Sequence, residues 1–344
     1  MAEFAEGTPC WVDAALPDLA AGKRFYGELF DWTFEPGDPG TLGHGGCATA
    51  FSDGKRVAGL LAKRDGRMPT AWGVYFATAD AAVLTDRIIR AGGRLVRPPT
   101  PVGRLGVLAQ AADPAGAVFG LWQAGDEAGF EKRGLPGSFC WTEVYTRDKE
   151  RVDPFYERVF GFLGADVPDG PVDFRLWFPA GTGTEPGAVG AVGAIGGRSV
   201  ITDAFPAEMP GHFLIYFAVL DCDQTAEAVV RLGGRVTTPP FDIESGRMAA
   251  LMDNQGAAFA VLAESDPYGQ RYGHRYEQER VPEARSTVGQ ELVGQEPGSQ
   301  EPPGSQEPVR QEAGRQEPET EPGQNAGRAR GRAWIGRGRA EDRR

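Results

Sequence analysis

Histidine is scarce. The chain has three in 344 residues, His44, His212 and His274, widely separated. Ser-His-Asp catalysis is therefore excluded: there is no Gly-x-Ser-x-Gly turn and no paired histidine. Four isolated cysteines, Cys10, Cys47, Cys140 and Cys222, form no C-x-x-C pair, which excludes a zinc finger or a disulfide framework. Their isolation fits a reduced, cytoplasmic setting. No apolar run approaches the roughly 18 residues of a membrane span. Met1 to Gly7 carries Glu3 and Glu6 and no basic residue, so a secretory leader is not expected. Basic charge is also short, with 36 Lys+Arg against 48 Asp+Glu and a net charge of −12. The last 80 residues hold 13 basic and 14 acidic groups, leaving 23 and 34 in the first 264. A body this acidic is not a DNA-binding surface, which needs surplus Lys and Arg to neutralise phosphates. The Gly-rich stretch Gly181–Gly197 lacks the Gly-Lys-Ser/Thr ending of a phosphate loop and reads as a flexible loop.

What the chain does contain is an internal repeat. Cys10-Trp11 recurs as Cys140-Trp141, Asp18 as Asp148, Phe25-Tyr26 as Phe155-Tyr156 and Phe30 as Phe160, all at an offset of 130. Tyr75-Phe76, Gly92-Gly93-Arg94 and Pro98-Pro99 recur as Tyr216-Phe217, Gly233-Gly234-Arg235 and Pro239-Pro240 at an offset of 141. Asp113, Gly116 and Phe119 recur as Asp253, Gly256 and Phe259 at an offset of 140. An insertion of about a dozen residues within 179–199 accounts for the change of offset. The repeat divides the chain into two copies, 7–125 and 134–264, with a linker at 126–133 and a tail at 265–344.

Within the first copy, residues 10–16 read as a strand and Leu19 to Phe30 as an amphipathic helix after the Pro17-Asp18 turn. Strands follow at 32–35, 46–52 and 57–62. The pattern then repeats with a strand at 72–78, a helix at 81–91 and strands at 94–97, 104–110 and 117–123. Each copy is thus two βαβββ units, an α+β architecture with a mostly antiparallel sheet and a helix on the outer face of each unit.

The helix motif Lys23-Arg24-Phe25-Tyr26-Gly27-Glu28-Leu29-Phe30-Asp31-Trp32 and the closing motif Asp113-Pro114-Ala115-Gly116 carry a resemblance. Together they resemble the vicinal oxygen chelate superfamily, which includes glyoxalase I, bleomycin-resistance proteins and extradiol dioxygenases. The second copy keeps Phe155-Tyr156 and Phe160-Gly161 and departs at Asp253-Asn254-Gln255-Gly256. The resemblance covers 7–264 and is closest to tandem actinobacterial members labelled hydroxylases. It implies either metal-dependent chemistry on oxygen-bearing substrates, sequestration of an antibiotic, or a role beside an oxygenase in a polyketide antibiotic pathway.

Metal-dependent relatives place His, Gln or Glu at inward positions of three strands. Carried onto this chain, those positions are Trp11, Gly73 and Gly120 in the first copy and Trp141, Leu214 and Ala260 in the second. None ligates a metal, so no metal or other cofactor is expected. A shift of two residues reaches Asp13, Glu143 or His212, one or two ligands and no symmetric set. His212 follows Pro210-Gly211 and is expected as a solvent-facing cap at a strand entrance.

Strand alternation puts Trp11, Asp13 and Ala15 on one face, with Trp141, Glu143 and Tyr145 as their counterparts. Tyr75, Trp122 and Tyr216 share the corresponding faces of their strands. Each copy then offers an aromatic cleft with one carboxylate, suited to a small, flat, aromatic ligand: rings stack on Trp while Asp13 or Glu143 takes a hydrogen bond or an amine. Packing alone accounts equally well for these aromatics. Asp13 and Glu143 are also the candidate catalytic groups, since a carboxylate buried among aromatics acquires the raised pKa of a general base. The leading expectation is a metal-independent small-molecule-binding protein, and the alternative a lyase, isomerase or oxygenase-like enzyme of the same superfamily that uses Asp13 or Glu143, or an atypical metal site. Two copies in one chain make a monomeric pseudo-dimer or a homodimer the expected states. Gln-Glu recurs six times between 290 and 317, a composition expected to be disordered. The seven arginines of Arg328 to Arg344 suit an acidic partner or RNA.

Overall fold

The computed structural model describes residues 4–37, 46–63, 66, 69–168, 172–180, 193–203 and 205–264. His44, His274, most of the Gly181–Gly197 loop and the whole 265–344 tail lie outside them. The first copy runs β1 (Pro9–Leu16), α1 (Leu19–Phe30), β2 (Thr33–Pro36), β3 (Cys47–Ser52), β4 (Lys55–Ala62), β5 (Ala71–Ala77), α2 (Ala81–Arg90), β6 (Arg94–Val102), β7 (Gly106–Ala112) and β8 (Val118–Ala124). The second runs β9 (Phe139–Thr146), α3 (Lys149–Phe160), β10 (Leu163–Val167), β11 (Phe174–Phe178), β12 (Gly196–Val200), β13 (His212–Ala218), α4 (Cys222–Arg231), β14 (Arg235–Ile243), β15 (Gly246–Met252) and β16 (Ala258–Glu264).

Each copy folds into one eight-stranded sheet, ordered β2-β3-β4-β1-β5-β8-β7-β6 in the first and β10-β11-β12-β9-β13-β16-β15-β14 in the second. The two βαβββ units of a copy meet through their first strands, antiparallel β1 with β5 and β9 with β13. Inside each unit the first and last strands pair in parallel, β1 with β4 and β5 with β8. The helix makes that crossover, and the other pairs are antiparallel. The α+β tandem architecture read from the repeat is therefore the architecture observed.

The four helices among the described residues begin the same way, because an aspartate stands at each N-cap. Asp18, Asp80, Asp148 and Asp221 each accept a hydrogen bond from a first-turn backbone N–H. Two local expectations were too short or too loose. Strand β6 continues through Pro98-Pro99 to Val102, which is possible because β6 is an edge strand and leaves one side of its backbone unpaired. The end of the Gly181–Gly197 stretch is ordered as the start of β12, where a Cβ on Gly197 would stand 2.5 Å from the Phe174 ring.

The copies pack through the faces opposite their clefts. Trp72 lies 5.0 Å from Phe217 and Phe76 lies 5.8 Å from Phe213, ring centre to ring centre, joining β5 to β13. Phe30 of α1 reaches both Phe217 and Phe259, and Phe119 reaches Phe155 and Phe160 of α3. One apolar core therefore runs through both copies. Arg198 on β12, almost wholly buried, holds α3 through two bonds to Asp153 and the residue before β11 through two to Asp173.

Candidate functional site

Strand β1 is the floor of the first cleft. Trp11 and Asp13 stand on its cleft side, opposite Tyr75 and Gly73 of β5, and Tyr75 in turn stands opposite Gly120 of β8. Trp122 is two residues further along β8 on the same face. These four side chains line one cavity of about 210 Å³ together with Arg56 and Leu108. The structure thus brings Trp11, Asp13, Tyr75 and Trp122 together in one place.

Three glycines make the room. A Cβ on Gly120 would lie 2.0 Å from the Tyr75 ring, so only glycine lets that ring settle against β8. One on Gly59 of β4 would lie 3.2 Å from the Asp13 Cβ and 3.4 Å from the Trp11 Nε1. Gly73 leaves open the space next to the Asp13 carboxylate. Strand-interior glycines of this kind, where another group approaches the backbone, are the sequence signal that marks the cavity.

The polar centre is a pair. The Tyr75 hydroxyl donates to Asp13 Oδ2 at 2.7 Å, and Gln110 hydrogen-bonds the same hydroxyl. Burial pushes the Asp13 carboxyl up to about 7, only partly opposed by the bond from Tyr75. Burial, and then the nearby carboxylate, raise the Tyr75 phenol well above its ordinary value.

One rim comes from the segment that joins the copies, which the sequence reading treated only as a linker. Trp122 Nε1 donates to the Glu127 carbonyl at 2.8 Å, and the Phe130 N–H donates to the Cys10 carbonyl at 2.9 Å. Phe130 packs against Trp11 at 5.7 Å. Arg56 ties this strap to β4: its guanidinium pairs with Glu127 and, at 2.8 Å, with Glu131. Arg56, Glu127 and Gly129 all line the cavity, and no motif in the sequence announced them.

In the second copy Trp141, Glu143 and Tyr216 also come together, in a different arrangement. The longer Glu143 side chain accepts from Trp141 Nε1 and from Ser199 Oγ, each at 3.1 Å. The hydroxyls of Tyr145 and Tyr216 also hydrogen-bond it. Burial raises the pKa of Glu143, opposed by all four donors. His212 stacks on Tyr145 at 5.2 Å with the rings 13° from parallel, so it is a half-buried stacked ring and not the solvent-facing cap expected.

The residues at the superfamily's metal-ligand positions do not fit a metal. Trp11, Gly73 and Gly120 offer no donor, and among the described residues no group of three or more His, Cys, Asp or Glu could hold an ion. The carboxylates lining the cavity, Asp13 and Glu127, are engaged with Tyr75 and Arg56.

Two eight-stranded sheets, each made of two βαβββ units that meet through their first strands, define a class of tandem-domain protein. The chain belongs to the vicinal oxygen chelate superfamily. It is 37% identical to the anthracycline biosynthesis protein DauV of Streptomyces sp. strain C5 over 287 residues, covering 78% of this chain and 97% of DauV. The anthracycline biosynthesis protein DnrV of Streptomyces peucetius is also 37% identical, over 286 residues and the same shares. A Mycobacterium tuberculosis protein that carries the name of a glyoxylase, CFP32, is 33% identical over 264 residues, covering 76% of this chain and 96% of its own. Among solved structures, the Mn(II)-bound glyoxalase of Novosphingobium aromaticivorans superposes with a TM-score of 0.51 at 15% identity, over 76% of this chain and 85% of that one. That likeness establishes the fold alone. No family model matches the chain.

Proposed function

We propose that this chain is a metal-independent binding protein for a small, flat, oxygen-bearing aromatic metabolite of the anthracycline type, held in the first cleft. The observation that carries this reading is the cavity of about 210 Å³ with Trp11 and Trp122 in its wall and the Asp13–Tyr75 pair inside it. Indole faces supply stacking area, and a single buried carboxylate beside a phenol orients a hydroxyl or amine. That volume is below the roughly 300 Å³ at which drug-sized pockets begin, which suits two or three fused rings or one end of a longer ligand. The relatives named for anthracycline biosynthesis cover nearly their whole length and supply the compound class. Cysteines that form no disulfide accord with work in the cytoplasm.

The test is titration of tryptophan fluorescence with quinizarin, a dihydroxyanthraquinone, alongside elemental analysis for Fe, Mn, Ni and Zn. The reading expects saturable quenching with no stoichiometric metal, weakened at least tenfold by Trp11→Ala. Absence of quenching, or a stoichiometric metal lost on changing Asp13, overturns it.

An enzymatic reading rests on one specific arrangement: the Asp13 carboxyl lines the cavity, and burial pushes it up to about 7, where a general base is most effective. Under that reading Asp13 is the catalytic group of the first cleft, and Glu143 would hold the same place in the second. Turnover abolished by Asp13→Asn with binding retained would establish it. Binding without turnover in the wild type leaves the binding role.

A further inference from the structure

We infer that the chain takes one ligand, in the first cleft, and that the second cleft is closed by its own side chains. The inference rests on the binding role proposed above and goes beyond it in assigning the two copies different jobs.

The strand registers match the clefts residue by residue. Asp13 faces Gly59 and Gly73, and Glu143 faces Gly197 and Leu214. Ala15 faces Leu61, and Tyr145 faces Ser199. Tyr75 faces Gly120, and Tyr216 faces Ala260. The second copy therefore carries Leu214, Tyr145 and Ala260 where the first has Gly73, Ala15 and Gly120. Smaller residues at Leu262 (for Trp122) and Ser199 (for Leu61) offset this only in part. Leu214 and Tyr145 thus fill space beside Glu143 that Gly73 and Ala15 leave beside Asp13, in an interior that packs with few voids.

Those larger residues meet each other. Leu214, Tyr216, Ala260 and Leu262 form an apolar cluster of their own, packed against Trp141, Tyr145 and Met248. None of the four is more than 8% exposed. A Cβ at position 120 would overlap the Tyr75 ring, so the Ala260 methyl keeps Tyr216 from lying down as Tyr75 does. Tyr216 instead takes part in the hydrogen bonding around Glu143, whose carboxylate already has four donors. A carboxylate so fully supplied has little left to offer a ligand. Asp13, one methylene shorter, accepts a side-chain hydrogen bond from Tyr75 and still lines open space.

Gly73 and Ala15 are thus the positions that keep the first cleft open, and Leu214 and Tyr145 those that close the second. The experiment follows the tryptophan indole N–H signals by NMR while the full chain is titrated with quinizarin. One equivalent should move Trp11 and Trp122 and leave Trp141 unmoved. Gly73→Leu should weaken binding at least tenfold without lowering the melting temperature. Leu214→Gly combined with Tyr145→Ala should add a second equivalent. Two equivalents in the wild type, or a Trp141 shift matching that of Trp11, would overturn the inference. If quinizarin does not bind, the proposed ligand class fails, and benzene alone then reads the asymmetry in the wild type. Benzene should shift Trp11 and leave Trp141 in place, and equal shifts, or none at Trp11, refute the inference.

Discussion

The Tyr26 hydroxyl donates to Asp253 Oδ2 at 2.9 Å, joining the first helix of one copy to the closing turn of the other. Tyr156 does the same for Asp113 at 3.2 Å in the opposite direction. Each aspartate also accepts two backbone N–H groups of its own turn: Ala115 and Ala117 for Asp113, Gln255 and Ala257 for Asp253. The recurring Phe-Tyr and Asp-x-x-Gly motifs are therefore two halves of one reciprocal clasp. Gln255 strengthens one side by bonding both the backbone N–H and the carbonyl of Asp18.

Removing either clasp hydroxyl leaves a buried carboxylate short of a donor. Tyr26→Phe and Tyr156→Phe are each expected to cost about 1.5–3 kcal/mol, as for hydrogen bonds to charged groups. Urea unfolding monitored by circular dichroism checks this. A midpoint unchanged by both substitutions would show that the clasp does not hold the copies together.

The Asp13 carboxyl makes stability fall as pH rises. Its folded pKa of about 7 lies above the ordinary carboxylate value of 3.8, so the folded chain binds the extra proton between those limits. The contribution is complete below pH 4 and is lost as pH climbs through 7. Asp13→Asn should therefore be more stable than wild type at pH 8, with an advantage that shrinks as pH falls and is gone by pH 4. Melting curves across this range test it, and parallel pH profiles for the two proteins would refute it.

Gly120→Ala should disturb the cavity from behind. The new methyl would fall on the Tyr75 ring, displace it and break its bond to Asp13. Overpacking of this kind typically costs about 1–3 kcal/mol. The expected result is a lower melting temperature with weakened quinizarin binding. Ala260→Gly, the reverse change in the second copy, should leave binding unchanged.

Arg56 latches the strap, and its loss should loosen one rim of the cavity. In Arg56→Ala Glu127 loses its ion-pair partner and Glu131 keeps only the bond from the backbone N–H of residue 56, while Trp122 and Phe130 keep their backbone bonds. Because these ion pairs are partly exposed, the effect on overall stability should be small. Limited proteolysis should instead cut faster within 126–133, and the ligand should dissociate faster. Unchanged cleavage at the strap would mean that the backbone bonds alone hold it.

Much of this was legible in the chain itself. Identical residues at fixed offsets can only mean a repeated unit, and strand alternation together with helical spacing placed the elements and the faces they bury. Trp11, Asp13, Tyr75 and Trp122 could be assigned to one face because a side chain's direction in a strand depends only on its parity. Two things depended on the tertiary structure. The linker became a wall of the cleft because Arg56, some 70 residues earlier in the chain, lies beside it across β4. The two clefts, alike in pattern, came to differ because volume is a property of all the strands that face one another. Gly73, Gly120 and Gly59 leave space only where Tyr75, Asp13 and Trp11 stand opposite them, and no single strand carries that information.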